Sequence, residues 1–378
     1  MKKILIFSLA YYPHVGGAEV ALKEITDRIQ DIEFHLITLN FGKDPKEEKV
    51  GNVFVHRVGN NASYLSKILF VPRAALCAPR LHKKLRFDAF WAMMSYMLFP
   101  IVLLRLLGVR LPYLLTLQDG DPWEHMFSRW FILPFRPLLK YGFKNASAVQ
   151  AISTYLAEWA RRMEYAGDVQ IIPNGVDVAR FKNVQHQVLN NKTLVTTSRL
   201  VHKNAVDDVI RALKFLPERI HFRIYGSCPD EKKLKALARR IGVDSRVEFM
   251  GHIDHTELPR ALGECDIFIR PSRSEGMGNS FIEAMAAGIP VIATQEGGIA
   301  DFLFDAKRNP DKPTTGWAVD KDSPEQIVEA VKDILEHPDK IALVTATAKK
   351  LAIEKYDWNL IAKQMRAVFV RVLDTPKR

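Results

Sequence analysis

The sequence predicts two doubly wound, Rossmann-like α/β domains, each built on a parallel sheet. Three observations carry this. Short apolar runs alternate with helical patterns almost throughout the chain. Many of those runs are continuously apolar rather than alternating, as strands covered on both faces require. And 378 residues are long for one hydrophobic core but comfortable for two.

The expected strands of the first half are 4–9, 34–39, 53–58, 89–92, 113–117 and 148–152. Those of the second half are 194–198, 221–225, 247–250, 267–269, 291–293 and 317–319. Helices intervene: Ala18, Ala21, Leu22, Ile25 and Ile29 keep one apolar face. Ser323-Pro324-Glu325-Gln326 reads as a capping box with proline at the first helical position. The turn Pro173-Asn174-Gly175 and the polar stretch 182–192 after it place the boundary, giving domains 1–176 and 177–356. No repeat of solenoid period and no low-complexity segment interrupts the pattern.

Cys77, Cys228 and Cys265 stand far apart without metal-ligand spacing, which fits a reducing compartment. Residues 4–10 are too short for a signal peptide's apolar core and run into Tyr11-Tyr12-Pro13. The uncharged run 89–104 contains Ser95 and Pro100 and falls short of the roughly 18–20 residues of a membrane span. It reads as a strand followed by a buried helix. A cytoplasmic protein is expected, either free or peripheral at the inner face of a membrane. Of the net charge of +11, much falls in residues 64–144, with 12 Lys+Arg against 4 Asp+Glu, so anionic partners are expected.

Ligands of doubly wound sheets bind beyond the carboxyl ends of the strands, where loops turn into helix N-termini. Four segments stand there. Pro13-His14-Val15-Gly16-Gly17-Ala18-Glu19 follows the first strand and opens a helix. Its glycines allow close backbone approach to an anion, unless they serve only a tight turn of positive φ. Ser198-Arg199-Leu200-Val201-His202-Lys203-Asn204 follows the first strand of the second half. Arg199 and Lys203 would give a diphosphate a guanidinium fork and an ammonium, or else are two solvated surface charges.

The third segment, 271–288, is the most specific. Gly276 and Gly278 form a loop, Asn279 or Ser280 is expected to cap a short helix, and Gly288-Ile289-Pro290 stops it. Glu275 precedes the loop and Glu283 is expected in the helix's first turn. Carboxylates suit sugar or ribose hydroxyls, and the amides between them suit phosphate. The fourth segment, Thr294-Gln295-Glu296-Gly297-Gly298, reads better as a structural turn than as a site.

Taken together, Gly16-Gly17, Ile172-Pro173-Asn174-Gly175-Val176-Asp177, Ser198-Arg199-Leu200, Tyr225-Gly226-Ser227 and above all Glu275 to Glu283, followed by Ala284-Met285-Ala286-Ala287-Gly288, resemble the retaining glycosyltransferases of family 4. The matching pieces span most of the chain in the family's order. The resemblance implies the GT-B fold, with the two domains facing each other across a cleft, an acceptor-binding first domain, a nucleotide-sugar-binding second domain, and a C-terminal helix, 357–378, that packs back on the first. It implies Glu283 on the donor ribose, Glu275 on the donor sugar, and Arg199 and Lys203 on the diphosphate. The amides of Gly17 and of Met277, Gly278, Asn279 and Ser280 would complete the donor cradle, with Gly16 and Gly276 as further donor-binding positions. Candidate catalytic residues are Glu275, Arg199, Lys203 and Gln118, and acceptor-side candidates are Glu19 and Asp119.

Two departures stand out. The family carries its lysine one place further from the arginine, followed by glycine, where this chain has Lys203-Asn204-Ala205. It also often ends the 113–117 strand with a histidine, where Gln118 cannot titrate.

The expected reaction is transfer of a sugar with retention from a nucleoside-diphosphate sugar to a glycan or lipid-linked acceptor, in bacterial envelope polysaccharide synthesis. No cofactor and no metal is expected, although Asp119-Gly120-Asp121 resembles the Asp-x-Asp of another glycosyltransferase fold. The competing readings are a catalytically silent nucleotide- or glycan-binding subunit, a sugar-nucleotide epimerase, and a phosphorylase carrying pyridoxal phosphate. Nucleic acid is not expected, because no nucleic-acid motif accompanies the charge. An anionic membrane is a further expected partner. Trp123, Met126, Phe127, Trp130, Phe131 and Phe135 interleave with Arg129, Arg136, Lys140 and Lys144, as either a membrane-resting surface or a core helix with solvated charges. The 250–252 loop is suggested for base contacts.

Overall fold

The structure, a computed structural model, describes residues 1–181, 184, 192–227 and 229–376. Cys228 and nearly all of the polar stretch 182–192 lie outside the described residues; Cys77 and Cys265 are free thiols. The chain divides into two compact units, residues 1–174 with 358–378, and residues 175–357.

The first unit holds an eight-stranded sheet: β1 (Lys2–Phe7), β2 (Ile32–Leu39), β3 (Glu47–Val50), β4 (Val53–Val58), β5 (Ala89–Met93), β6 (Tyr113–Leu117), β7 (Ala148–Ala151) and β8 (Val169–Ile171), in the order β3-β4-β2-β1-β5-β6-β7-β8. All neighbours are parallel except β3, which pairs antiparallel with β4 at the edge. Six helices follow the strands: α1 (Gly17–Asp27), α2 (Tyr64–Leu85), α3 (Leu98–Leu106), α4 (Trp123–Phe127), α5 (Arg136–Lys144) and α6 (Thr154–Arg162). The strands are apolar on both sides because helices cover both faces. Ile4, Ile6, Phe34, Leu36 and Trp91 pack against Ala21, Leu22 and Ile25 of α1.

The second unit holds a six-stranded parallel sheet: β9 (Lys192–Thr197), β10 (Ile220–Tyr225), β11 (Val247–Gly251), β12 (Ile267–Arg270), β13 (Val291–Ala293) and β14 (Trp317–Ala318), in the order β11-β10-β9-β12-β13-β14. Its helices are α7 (Val178–Phe181), α8 (Val206–Leu213), α9 (Glu231–Ile241), α10 (Leu258–Gly263), α11 (Asn279–Ala287), α12 (Pro324–Glu336) and α13 (Pro338–Lys355). The last helix, α14 (Trp358–Leu373), returns to the first unit, where Trp358, Ile361, Met365 and Phe369 join the core beside α1. The chain leaves and re-enters the first unit at neighbouring points, and Val176 bridges to Asp357 beside those crossings.

Two strands lie outside the expected set. β3, Glu-Glu-Lys-Val, is a half-exposed edge with no apolar run to announce it, and β8 has only three residues. The expected capping box at Ser323 is not formed. Proline does occupy the first turn of α12, but Gln326 turns its amide to Asp320, donating to Oδ2 and accepting from the backbone N–H, both at 2.8 Å.

Both sheets contain a topological switch point, where consecutive crossovers leave in opposite directions. In the first, β1 leads through α1 to β2 on one side, whereas β5 leads through α3 to β6 on the other. In the second, β9 leads through α8 to β10, and β12 leads through α11 to β13. The loops beyond the carboxyl ends of such strands splay apart, and that is where doubly wound sheets bind ligands.

Candidate active site

In the second unit, the two segments with the most chemistry are the loops of the switch-point pair β9 and β12, which are hydrogen-bonded neighbours. After β9 the chain runs through Ser198 and an exposed Arg199 into a 3₁₀ turn, His202–Asn204. The close passage of the β10 loop shapes this exit. Ser198 N–H donates to Tyr225 at 3.0 Å and Leu200 N–H to Ser227 at 3.2 Å. Gly226, at φ 150°, lies so near that a Cβ there would stand 1.8 Å from the Ser198 carbonyl oxygen. Here glycine is required by close approach. Gly226 N–H also donates to Gly251 at 2.6 Å, so the end of β11 is tied to the same loop.

The lysine departure now has a structural description. Asn204, at the place of the family's lysine, is buried and turns its amide back to the Arg199 carbonyl at 2.7 Å. Ala205, at the place of its glycine, adopts the left-handed conformation at φ 52°. Asn204 therefore shapes the loop, and Lys203 is its half-exposed cation. Arg273 fastens this turn from the other strand's loop. Its N–H donates to the Lys203 carbonyl and its Nη1 to the His202 carbonyl, both at 2.7 Å, while its guanidinium pairs with Asp207, Asp208 and Asp322.

After β12 the chain passes from Arg270 through Pro271 to Gly278 and into α11. The helix start differs from expectation. Gly278, at φ 85°, occupies the N-cap and no side chain caps the helix; Asn279 is its first residue, and Ser280 accepts a hydrogen bond from Arg270 Nη1 at 3.0 Å. Glu283 consequently stands one turn further in, as the fifth helical residue, and the first turn holds no acid. It is buried, with Oε1 3.5 Å from His255 Nδ1. Gly288 ends the helix in the left-handed conformation at φ 81°, as expected.

Glu275 is held at both oxygens: Oε2 accepts from Arg270 Nη2 at 2.9 Å and Oε1 from the Gly276 N–H at 3.0 Å. Its carbonyl accepts from Gly298 N–H at 3.1 Å, so the fourth glycine segment serves as a structural latch on this loop.

Arg270 is the residue that sequence reasoning missed. It is a buried guanidinium, 6% exposed, stacked 4.1 Å above the Phe281 ring and bound to Glu275 and Ser280. Gly278 makes room for it, since a Cβ there would meet Arg270 Nη2 at 2.5 Å. Its Nε has no partner among the described residues. Burial depresses its proton affinity, opposed by Glu275 and Glu283, while Arg199 adds a like charge, so this one cation senses three of the predicted residues. The signal available was a charged residue closing the apolar strand Ile267-Phe268-Ile269.

In the first unit, the loops after β1, β5 and β6 meet. Gly16 is the N-cap of α1, and neither Gly16 nor Gly17 has positive φ, so a strained turn is not what calls for them. A Cβ at Gly17 would meet nothing within 4 Å. Glu19 reaches back to accept from Gly16 N–H at 2.8 Å, which makes it a helix-capping group. Gln118, buried beyond β6, donates to the Gly17 carbonyl at 3.2 Å and so ties the two loops together.

Asp119 is 1% exposed. Its Oδ2 accepts from Ser95 Oγ at 2.8 Å and from Ser95 N–H at 3.3 Å, while Oδ1 has no partner among the described residues. Burial pushes its carboxyl up to about 6, against the opposing Ser95 hydrogen bonds. Beside Ser95, Met94 takes a strained φ of 75°. Asp121, by contrast, lies 3.9 Å from His125, and among the described residues no group of three or more His, Cys, Asp or Glu is placed to hold a metal.

The expected aromatic stretch after β6 divides. Trp123, Met126 and Phe127 are buried, with Trp123 and Phe127 against Trp159 and Phe127 also against Phe143, whereas Trp130 and Phe135 are exposed.

Comparison with known proteins gives a consistent picture. The family model of Glycosyl transferases group 1 matches residues 177–356, and that of Glycosyltransferase Family 4 matches residues 15–180. An uncharacterized glycosyltransferase of Methanocaldococcus jannaschii is 23% identical over 98% of this chain and 99% of its own. A GDP-mannose-dependent alpha-(1-6)-phosphatidylinositol monomannoside mannosyltransferase of Mycobacterium tuberculosis is 28% identical over 64% of this chain and 66% of its own. Among solved structures, sucrose-phosphate synthase from Thermosynechococcus elongatus superposes with a TM-score of 0.84 at 18% identity, covering 98% of this chain and 99% of that one. HepE of Anabaena, solved with UDP and glucose, gives 0.77 at 20% identity, covering 98% and 100%. These structural likenesses establish the fold, which is GT-B.

Proposed function

Because this chain belongs to the glycosyltransferases of group 1 and family 4, we propose that it moves a sugar with retention, and without a metal, from a nucleoside-diphosphate sugar to a hydroxyl of a glycan or lipid-linked acceptor. The observation that carries the donor reading is the switch point of the second sheet. Its two loops bring cationic Arg199 and Lys203 from β9 and the Glu275–Glu283 segment from β12 to adjacent strand ends. Relatives support the donor class: HepE was solved with UDP-glucose, and the mycobacterial enzyme is GDP-mannose-dependent. The phosphatidylinositol monomannoside in the latter's name supports the lipid-linked reading, and envelope polysaccharide synthesis is the setting we propose.

In this mechanism Glu283 accepts hydrogen bonds from the donor ribose, and Arg199 and Lys203 bind the diphosphate with the amides of Met277 to Ser280. Glu275, locked by Arg270 and the Gly276 amide, orients the sugar. The acceptor hydroxyl attacks the anomeric carbon from the face the diphosphate leaves, through an oxocarbenium-like state. The C–O bond to phosphate breaks as the new one forms. The departing phosphate oxygen takes the acceptor's proton, so no protein nucleophile is needed. Arg199 and Lys203 stabilise the negative charge that develops on the leaving group. Gln118 and Asp119 stand on the acceptor side, with Gln118 holding the Gly16-Gly17 loop.

The test is transfer from UDP-glucose or GDP-mannose to a lipid-extract acceptor, with the anomeric configuration of the product read by NMR. Retained configuration, undiminished rate in excess chelator, and at least a hundredfold loss in Arg199→Ala and Glu275→Gln are expected. An inverted product or unaffected variants would overturn the assignment. Interconversion of the free donor without acceptor would point to an epimerase instead.

A further inference from the structure

We propose that the outer face of the helical layer formed by α2, α3 and α5 docks on an anionic lipid bilayer. This extends the acceptor reading above, on which its purpose rests, but it is argued from the surface itself.

The 22-residue helix α2 is apolar on the wrong side. It buries Ser66, Phe70, Ala74, Ala75 and Ala78, mostly small residues, against the unit. Outward it leaves Leu65 (63% exposed), Ile68 (53%) and Leu76 (63%), a stripe at helical spacing that includes exposed Pro72. An ordinary surface helix does the reverse. The helix contains no acidic residue, and Lys67, Arg80, Lys83 and Lys84 are exposed beside the stripe.

The surface continues beyond α2. α2 packs on α3 and α3 on α5, and Phe99 at the start of α3 meets Phe135 at the start of α5, ring centres 6.2 Å apart. Next to Phe135 stand exposed Leu133 and Trp130, the latter 82% exposed, with Arg129 lying 5.6 Å from the Phe131 ring. Tyr64, at the head of α2, is also exposed. No Asp or Glu occurs from residue 59 to 87 or from 125 to 157; Asp88, Asp121 and Glu124 lie outside those stretches.

An extended apolar stripe edged by long cations fits a bilayer surface. The apolar side chains enter the headgroup boundary while lysine and arginine reach phosphates. A protein partner's hot spot concentrates instead on a compact, lysine-poor centre. No described helix is long and apolar enough to cross a membrane, so the face lies on the bilayer rather than through it.

The test is flotation of the full chain with phosphatidylglycerol-containing and pure phosphatidylcholine vesicles at low and high salt. Binding to the anionic vesicles is expected to weaken with salt, and to weaken at least tenfold in Leu65→Glu/Ile68→Glu/Trp130→Glu and in Lys67→Glu/Lys83→Glu/Lys84→Glu. Absence of binding to anionic vesicles, equal binding to neutral ones, or unchanged binding by both variants would overturn the proposal. Self-association of the wild type that both variants abolish, without vesicle binding, would replace the bilayer by a second copy. Nucleotide-induced thermal stabilisation, measured on the same samples, keeps the two readings apart. Its survival where vesicle binding fails leaves the donor site standing, and its absence where vesicle binding persists leaves the docking face standing.

Discussion

Asp119→Asn is predicted to make the protein more stable above neutral pH. In the folded state burial raises the carboxyl from 3.8 to about 6, so the folded form holds its proton more tightly than the unfolded chain. Such a group contributes stability in full below about 3.8, and the contribution is lost as pH rises through about 6. At about 1.4 kcal/mol for each tenfold step in proton affinity, the ionised side chain costs the wild type about 3 kcal/mol at pH 8. Asparagine removes the charge and keeps an oxygen to accept from Ser95. Denaturant unfolding of both proteins should therefore show the variant ahead by up to about 3 kcal/mol at pH 8, falling to about 0.5 kcal/mol at pH 4. Because the comparison is a difference, the other titrating groups cancel. A gap that does not change with pH, or a variant less stable at pH 8, would refute the reasoning. Acceptor-side function predicts that the stabilised variant turns over more slowly.

Three further predictions follow from the second unit. Arg270→Met leaves Glu275 without its cation and should cost about 3–5 kcal/mol in denaturant unfolding, much of it recovered in Arg270→Met/Glu275→Gln; additive losses would show that the pair is not coupled. Ala205→Gly relieves a left-handed alanine and should raise stability by about 1 kcal/mol, read as an upward Tm shift; a fall in Tm would contradict this. Gly226→Ala drives a Cβ into the Ser198 carbonyl and should cost about 3 kcal/mol or more while weakening nucleotide binding through the displaced Arg199 loop; an unchanged Tm would mean the loop yields freely.

Much of this was legible in the sequence, and the reasons are local. Tyr113–Leu117 and Val291–Ala293 stood at their expected bounds because such largely apolar, fully buried runs belong to parallel strands covered on both faces. β3 escaped because an edge strand with half its residues in water needs no apolar run. The glycines and acids around α11 identified the segment, but the cap could not be read: Gly278 takes it because Arg270 needs the space, and that crowding comes from the tertiary fold. Burial was equally hidden. Nothing in Gln118-Asp119-Gly120 says that Asp119 is enclosed while Asp121 is not, and Trp123 and Trp130 look alike until one is core and the other surface.

The central claim is that the β9 and β12 loops form a nucleoside-diphosphate site, and binding tests it most directly. Thermal unfolding of the wild type and Glu283→Ala should be followed with UDP, GDP, ADP and CMP. One nucleotide at a hundred times its Kd should stabilise the wild type by about 2.7 kcal/mol, and the variant much less, at the same concentration. Stabilisation of both proteins alike would remove Glu283 from the site, and no shift with any nucleotide would contradict the donor site itself.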